Sequence, residues 1–281
     1  MSLKSPIIQV RQLAHLGRHV VNRLRCPIRP DTLRAALERV TNGGTELLFV
    51  HSSLSGCGYF TAGPEDVLQS LRAIAGTLIL PTHSYCYPPG PGEDAPLFDS
   101  ATTPSQNGLL TEIFRTQESV VRSIHATHSI AATGPLAKFL TANHYSSSTP
   151  CGLGTPYDRL VQRRASILLF GVAFRCYTLF HTAEDASGSE FAYELGTEDQ
   201  LVVLDETGGQ RTCWSRRHSR VPRRFQEAGS LLERAGLVRR VSLGRNSLLF
   251  VQDCSRVHEF LVERLKKIPD FLYQSCARGL Q

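Results

Sequence analysis

The chain has 281 residues, is 41% hydrophobic and 20% charged, and carries a formal net charge of +6. This is the composition of a folded globular protein and excludes collagen-like, low-complexity and disordered classes. No stretch approaches the roughly 20 apolar residues of a spanning helix, and the spaced apolar residues of the N-terminus do not make a signal peptide, so a cytoplasmic protein is expected.

Residues 1–30 read as a basic helical extension. Ile7, Val10, Leu13, Val20, Val21 and Leu24 form a loose stripe between Arg11, Arg18, Arg23 and Arg25, and Pro27 and Pro30 end it. Packing on the main domain is the expected role, with a membrane-surface helix as the alternative. Asp31 can cap a helix over Leu33, Leu37 and Val40 that Gly43-Gly44 stops. Residues 46–50 read as a buried strand, 51–56 as the loop leaving it, 64–74 as a helix and 77–80 as a second buried strand. This rhythm indicates an α/β fold with a mainly parallel sheet. Residues 83–108 look like a long functional loop. Helices are expected at 109–116 and 136–143, strands at 129–133 and 167–172, and a helix opening at 181–184. After Gly196 the texture changes to a hairpin (200–205 and 212–214), helices at 225–235 and 257–267, and a strand at 247–251. The expected organisation is thus an extension (1–30), an α/β core (31–195) and a C-terminal part (196–281) that completes the acceptor side and the sheet.

The eight cysteines are dispersed, with no Cys-x-x-Cys pair, which points to reduced, mostly buried thiols. His125-x-x-His128 invites a zinc reading, but no third ligand sits at a telling spacing, so no metal is expected. The positive charge rests on 27 Arg against 4 Lys, with six arginines between Arg211 and Arg224. Such a balance suits an anionic partner. Direct nucleic-acid binding is not expected, because the run is short and carries one aromatic.

Five segments in order carry a resemblance: Val50-His-Ser-Ser-Leu-Ser55; Gly76-Thr-Leu-Ile-Leu-Pro-Thr82; Arg122-Ser-Ile-His-Ala-Thr-His-Ser129 with Ala131-Ala132-x-Gly134-Pro135; Gly154-Thr-Pro-Tyr-Asp-Arg-Leu160; and Leu168-Leu-Phe-Gly-Val172 followed by Thr178-x-x-His181-x-x-Glu184. Together they resemble a divergent member of the aminoglycoside 3-N-acetyltransferase family, closely over residues 31–195 and loosely beyond. The resemblance implies an α/β/α-like sandwich with a smaller C-terminal α+β subdomain. It implies acetyl-CoA or another acyl thioester as donor, and direct acyl transfer to an amine without a metal.

The residues can be read against that chemistry, which needs a base, oxyanion donors and a phosphate cradle. His51, Ser52, Ser53, Leu54 and Ser55 leave a buried strand and suit a pantetheine or phosphate contact. Arg122 can pair with a CoA phosphate. His125, Ser129, Tyr157 and Thr178 join this donor-side set through the resemblance. His181 is the expected general base, with Glu184 one helical turn on and able to orient it.

The later acidic residue that orients the family's histidine has no counterpart here, since Arg211–Arg220 contains no carboxylate. His218 as substitute base or relay, Glu184, Glu190 or Glu194 as the carboxylate, and a catalytically inactive binding module are the competing readings. Trp214, Arg216 and Arg217 are assigned to the acceptor. An arginine-rich wall repels polycations and reads carboxylate or phosphate. The expected acceptor is therefore a small anionic amine, or a substrate held on an acyl- or peptidyl-carrier protein, in place of a typical aminoglycoside. The oligomeric state is left open, a dimer included.

Overall fold

The computed structural model describes residues 27–274 apart from 91 and 245. The N-terminal helical extension, except its last four residues, and Cys26 and Cys276 lie outside the described residues.

Strand β1 (Pro27–Ile28) leads into helix α1 (Pro30–Thr41). Pro30, fixed near helical φ, opens α1. Asp31 therefore sits inside the first turn and not at the cap, and Asn42 in the left-handed conformation (φ 57) ends the helix before Gly43 is reached. There follow β2 (Thr45–Ser52), the short α2 (Leu54–Cys57), β3 (Tyr59–Phe60), α3 (Pro64–Ala73) and β4 (Ala75–Pro81). After the long loop come α4 (Leu109–Arg115), β5 (Val121–Arg122), β6 (Ile130–Thr133), α5 (Ala137–Thr141), α6 (Pro156–Gln162) and β7 (Ser166–Phe170). The chain ends through α7 (Leu179–Ala186), β8 (Tyr193–Leu204), β9 (Gln210–His218), α8 (Phe225–Arg234), β10 (Arg239–Leu243), β11 (Asn246–Val251) and α9 (Cys254–Lys267).

The α/β class is as expected, but the seven-stranded sheet is mixed. Its order is β10-β11-β7-β2-β4-β6-β5. Only the centre is parallel, where β2 pairs with β4 and β7. The flanks are antiparallel, because β6 and β5 return beside β4 and the hairpin β10–β11 adds onto β7. Five of the seven strands run the same way, and the two that run against them, β6 and β11, make every flanking pair antiparallel.

The central strands are apolar throughout because both faces are covered. Leu47, Phe49, Ile167 and Leu169 point into one core with α5 to α9, while Leu48, Val50, Leu168 and Phe170 point into the other with α1, α3 and α4. This period-two split is the pleat of a strand expressed in sequence. The β8–β9 hairpin is a separate two-stranded sheet, longer than expected, and β8 spans 195–196 with a shift in its pairing register between Tyr193 and Glu198. A third core of Ala95, Phe98, Ile124, Ala126, Leu201 and Val203 fastens it to the long loop. Phe98 N–H donates to Val202 O (2.9 Å), and Leu204 N–H donates to Phe98 O (2.8 Å).

Candidate active site

The three parallel strands end side by side, and the carboxyl ends of such strands are where α/β sheets present their sites. His51 and Ser52 leave β2, Thr82 and His83 leave β4, and Gly171 and Val172 leave β7. The Ser53–Gly58 loop lies tightly on β7, where Ser53 N–H donates to Phe170 O at 2.8 Å. A Cβ on Gly56 would overlap the Gly171 carbonyl, so this backbone approach requires glycine.

Helix α7 carries His181 and Glu184 on one face. His181 Nδ1 lies 2.6 Å from Glu184 Oε2. An ionised carboxylate only accepts, so Nδ1 bears the proton and Nε2 is left basic. Glu184 is fully buried, which alone would raise its pKa. His181, and then Arg223 at 3.2 Å from Oε1, hold it below the usual range instead. The His218 ring stacks on His181 with centroids 4.0 Å apart, and Phe225 closes the edge at 5.2 Å.

Three cavities adjoin one another here, and His181 lines two of them. The first, about 560 Å³, lies between Ser52–Ser55, Tyr59–Pro64 and Asn107–Leu110. The second, about 250 Å³, is a junction lined by His51, His83, Tyr177, Thr178 and His181 among others. It shares Ser52 and Asn107 with the first. The third, about 730 Å³, opens on the other side of His181 between Tyr85, Tyr87, Arg175, Arg217, His218 and Arg220. It continues into a groove bearing Glu93, Asp94, Glu194, Glu198, Asp199 and Trp214.

The sequence-chosen residues divide accordingly. Ser52, Ser53, Leu54 and Ser55 line the first cavity, and His51 and Thr178 line the junction. Arg122 is not aimed at a ligand. Its guanidinium donates to Thr82 O (2.7 Å), Thr103 O (2.5 Å), Ser100 O (3.3 Å), Thr82 Oγ1 (3.2 Å) and Ser129 Oγ (3.1 Å), and it packs over Phe98. Four of its five N–H groups are taken up by the fold. Ser129 is part of the same brace. His125 is turned away from the cleft, accepting from the N–H groups of Thr127 and His128 and lying against His144. Tyr157 lies behind the junction, 2.8 Å from His83 Nε2 and donating to His128 O (2.9 Å). Arg216 lies over the Tyr193 ring, and Trp214 is half exposed on the groove.

The arginine cluster is not the unpaired wall expected from sequence. The hairpin sets β8 beside β9, and β8, the turn after it and α7 supply the carboxylates that β9 lacks. Arg217 is held by both oxygens of Asp199 (2.8 and 2.7 Å). Arg220 faces Glu194 at 3.4 Å, Arg211 faces Asp205 at 2.5 Å, and Arg223 faces Glu184.

Sequence reasoning missed His83, Tyr85, Tyr177 and Phe225 as lining residues and favoured His125 where His128 faces the cleft. His83 had a usable signal, since it stands two residues past the end of a buried strand. The others come together only through the fold.

Comparison with known proteins follows the same outline. The aminoglycoside 3-N-acetyltransferase family matches residues 49–266. Aminoglycoside N(3)-acetyltransferase VII of Streptomyces paromomycinus is 32% identical over 213 residues, covering 68% of this chain and 70% of the relative. Two solved structures share the fold. Aminoglycoside acetyltransferase AAC(3)-Xa has a TM-score of 0.75 at 24% identity, over 94% of this chain and 99% of that one. AAC-IIIb, solved as a binary complex with CoASH, has a TM-score of 0.73 at 22% identity, over 86% of this chain and 97% of that one. The chain belongs to the aminoglycoside 3-N-acetyltransferase family and is an N-acetyltransferase.

Proposed function

We propose that this protein transfers the acetyl group of acetyl-CoA to an amine of a cationic amino sugar, with His181 as general base and Glu184 as the group that orients it. The pantetheine arm enters through the cavity at Ser52–Ser55, which is the deep cleft beside the loop that leaves the central strand; a structure of the same fold was solved with CoASH. The thioester reaches the junction, and the acceptor amine approaches from the opposite cavity. The base standing where the two routes meet is the observation that carries this reading.

In the reaction, His181 Nε2 takes a proton from the amine as its nitrogen attacks the thioester carbon. The carbonyl oxygen becomes an oxyanion, the C–S bond breaks, and the imidazolium returns the proton to the CoA sulfur. His51 Nε2 is buried without a hydrogen-bond partner in the junction, and burial pushes this imidazole down to about 3, so it is neutral and fit to donate to the oxyanion.

The acceptor follows from charge. Arg175, Arg217, Arg220 and Arg223 around the cleft face Glu93, Asp94, Glu184, Glu194, Glu198 and Asp199 there and in the adjoining groove. Carboxylates outnumber arginines, which favours a polycation. The anionic acceptor expected from sequence loses its premise with the pairing of Arg217, Arg220 and Arg223; the exposed Arg175 and the 87% exposed Arg220 side chain still favour it as a second reading.

The test is release of free CoA from acetyl-CoA, with gentamicin-like and kanamycin-like amines set against amino-sugar nucleotides and amino acids. Turnover with the cationic sugars is expected. Turnover with the anionic amines alone establishes the second reading. No release with any amine, and no rise in Tm with millimolar CoA, overturns the assignment.

A further inference from the structure

We propose that His128, Cys151 and His218 form a binding site for a soft divalent cation, Zn2+ foremost, on the inner wall of the acceptor cavity. The three residues come from unrelated parts of the chain: the turn before β6, the loop before α6 and the end of β9. The fold brings one ligand atom of each within 4.8 Å of the others. Ligands of a tetrahedral zinc stand on the order of 3.5 Å apart, given Zn–N near 2.0–2.1 Å and Zn–S near 2.3 Å, so about 1 Å of side-chain closure completes the set. Two imidazoles and a thiol are the donors that zinc selects over magnesium or calcium. His125-x-x-His128 failed as a zinc motif for want of a third ligand. The fold gives His128 other partners and turns His125 away.

The supporting groups are those of a metal ligand set. His128 Nδ1 lies 2.8 Å from Thr127 Oγ1, which orients Nε2 for coordination. Both ring nitrogens of His218 are buried without a well-formed hydrogen bond. The nearby Ala192 carbonyl already accepts from Ser219 N–H (2.9 Å) and Arg223 Nη2 (3.0 Å). A buried imidazole with neither nitrogen committed is costly unless something else binds it. Cys151 is fully buried, with the carboxylates of Asp185 and Glu184 acting on it. That same negative field compensates an incoming cation, and coordination replaces the thiol proton with the metal. His128 and His218 line the open acceptor cavity, which provides the entry path. A second trio, His181, Glu184 and His218, is as compact, but both oxygens of its Glu184 are already committed, to His181 and to the Arg223 guanidinium.

Occupation has a consequence for turnover, because His218 packs face to face on His181. Drawing His218 toward Cys151 removes that contact and places the metal in the acceptor's path. Zn2+ is therefore expected to lower turnover reversibly, with chelator restoring it.

The test uses the whole chain with Co2+ as a spectroscopic probe and Zn2+ as competitor, so it stands independently of the acetyl-transfer assignment. One equivalent of Co2+ is expected to give the near-ultraviolet absorption of a thiolate–Co2+ bond, displaced by Zn2+, and Zn2+ is expected to raise Tm. Cys151→Ser and Cys151→Ala are expected to abolish the absorption and weaken Zn2+ at least ~100-fold, while keeping a cooperative thermal transition and an unchanged far-ultraviolet circular dichroism spectrum that show them folded. Undiminished Zn2+ affinity in both folded variants, a cobalt spectrum without the thiolate band, or no binding of either metal overturns the proposal. Loss of binding in His181→Ala with retention in Cys151→Ala assigns the metal to the other trio and overturns it equally.

Discussion

The Nδ1 atom of His181 and the Oε2 atom of Glu184 stand 2.6 Å apart within a single turn of α7, and the other oxygen of Glu184 is held by Arg223. The carboxylate that holds the proposed base therefore comes from its own helix, three residues on. His181→Ala is expected to lower turnover by roughly two to four orders of magnitude with little change in acetyl-CoA affinity. Glu184→Gln leaves an amide that can present N–H to the ring, favouring the wrong tautomer, and is expected to cost roughly a hundredfold or more. Steady-state kinetics beside calorimetric CoA binding separates the two effects; near-normal kcat in His181→Ala would place the base elsewhere.

His51 is expected to act on kcat rather than on affinity. It lines the junction with one ring nitrogen buried and unpartnered. His51→Phe keeps a ring of similar shape and removes the donor. Loss of one oxyanion donor costs on the order of 10²–10³ in kcat. A change confined to KM for the thioester would show that His51 serves binding alone.

Arg122 is expected to matter for folding and not for phosphate recognition. Five acceptors and the Phe98 ring surround its guanidinium, and the residue is 8% exposed. Removing it leaves buried oxygens unsatisfied, a loss of about 3–5 kcal/mol by analogy with other buried charged networks. Arg122→Ala is expected to lower Tm by several degrees while KM for acetyl-CoA in the folded fraction stays within about threefold. A large KM increase without loss of Tm would restore the phosphate role.

The groove carboxylates are expected to set acceptor preference. Glu198→Gln with Glu194→Gln removes two negative charges beside Arg217 and Arg220. Each lost charge contact at a partly exposed site is worth about 1 kcal/mol, so KM for a polycationic acceptor is expected to rise roughly tenfold or more, and KM for acetyl-CoA to stay unchanged. An unchanged or lower acceptor KM would favour an anionic substrate.

Stability is expected to fall on mild acidification. Burial pushes both His51 and His125 from 6.5 down to about 3. Between those values the unfolded chain binds protons that the folded chain refuses, so stability rises with pH and is lost as pH falls below 6.5. Each such histidine contributes up to about 1.4 kcal/mol per pH unit in that window. Tm measured from pH 7.5 to 4.5 should fall progressively below pH 6.5, and His125→Asn, which can still accept from the Thr127 N–H, should flatten the slope. A flat profile would show these rings titrating normally.

The apolar runs 46–50, 77–80 and 167–172 were enough to place three buried strands, because a strand covered on both faces leaves no polar alternation to misread. The pairing of His181 with Glu184 was equally legible, since i and i+3 share a helix face whatever surrounds the helix. Four strands, β1, β3, β5 and β10, escaped, and the hairpin strands β8 and β9 were cut short. Arg239–Leu243 alternates with arginine and serine on a half-covered edge, and Pro27–Ile28 and Tyr59–Phe60 are two-residue pairs without a pattern of their own. Tyr193–Glu198 opens a hairpin strand whose charges looked like loop. The charge of the acceptor side was decided by tertiary structure alone. Residues 207–226 hold no carboxylate, yet Asp199 and Glu194 on the facing strand neutralise Arg217 and Arg220. The same is true of His128, Cys151 and His218, whose meeting depends on two loops and the end of β9 converging. Local spacing fixes what neighbours along one helix or strand can do; charge balance and ligand sets belong to residues far apart in sequence, and only folding determines which of them face one another.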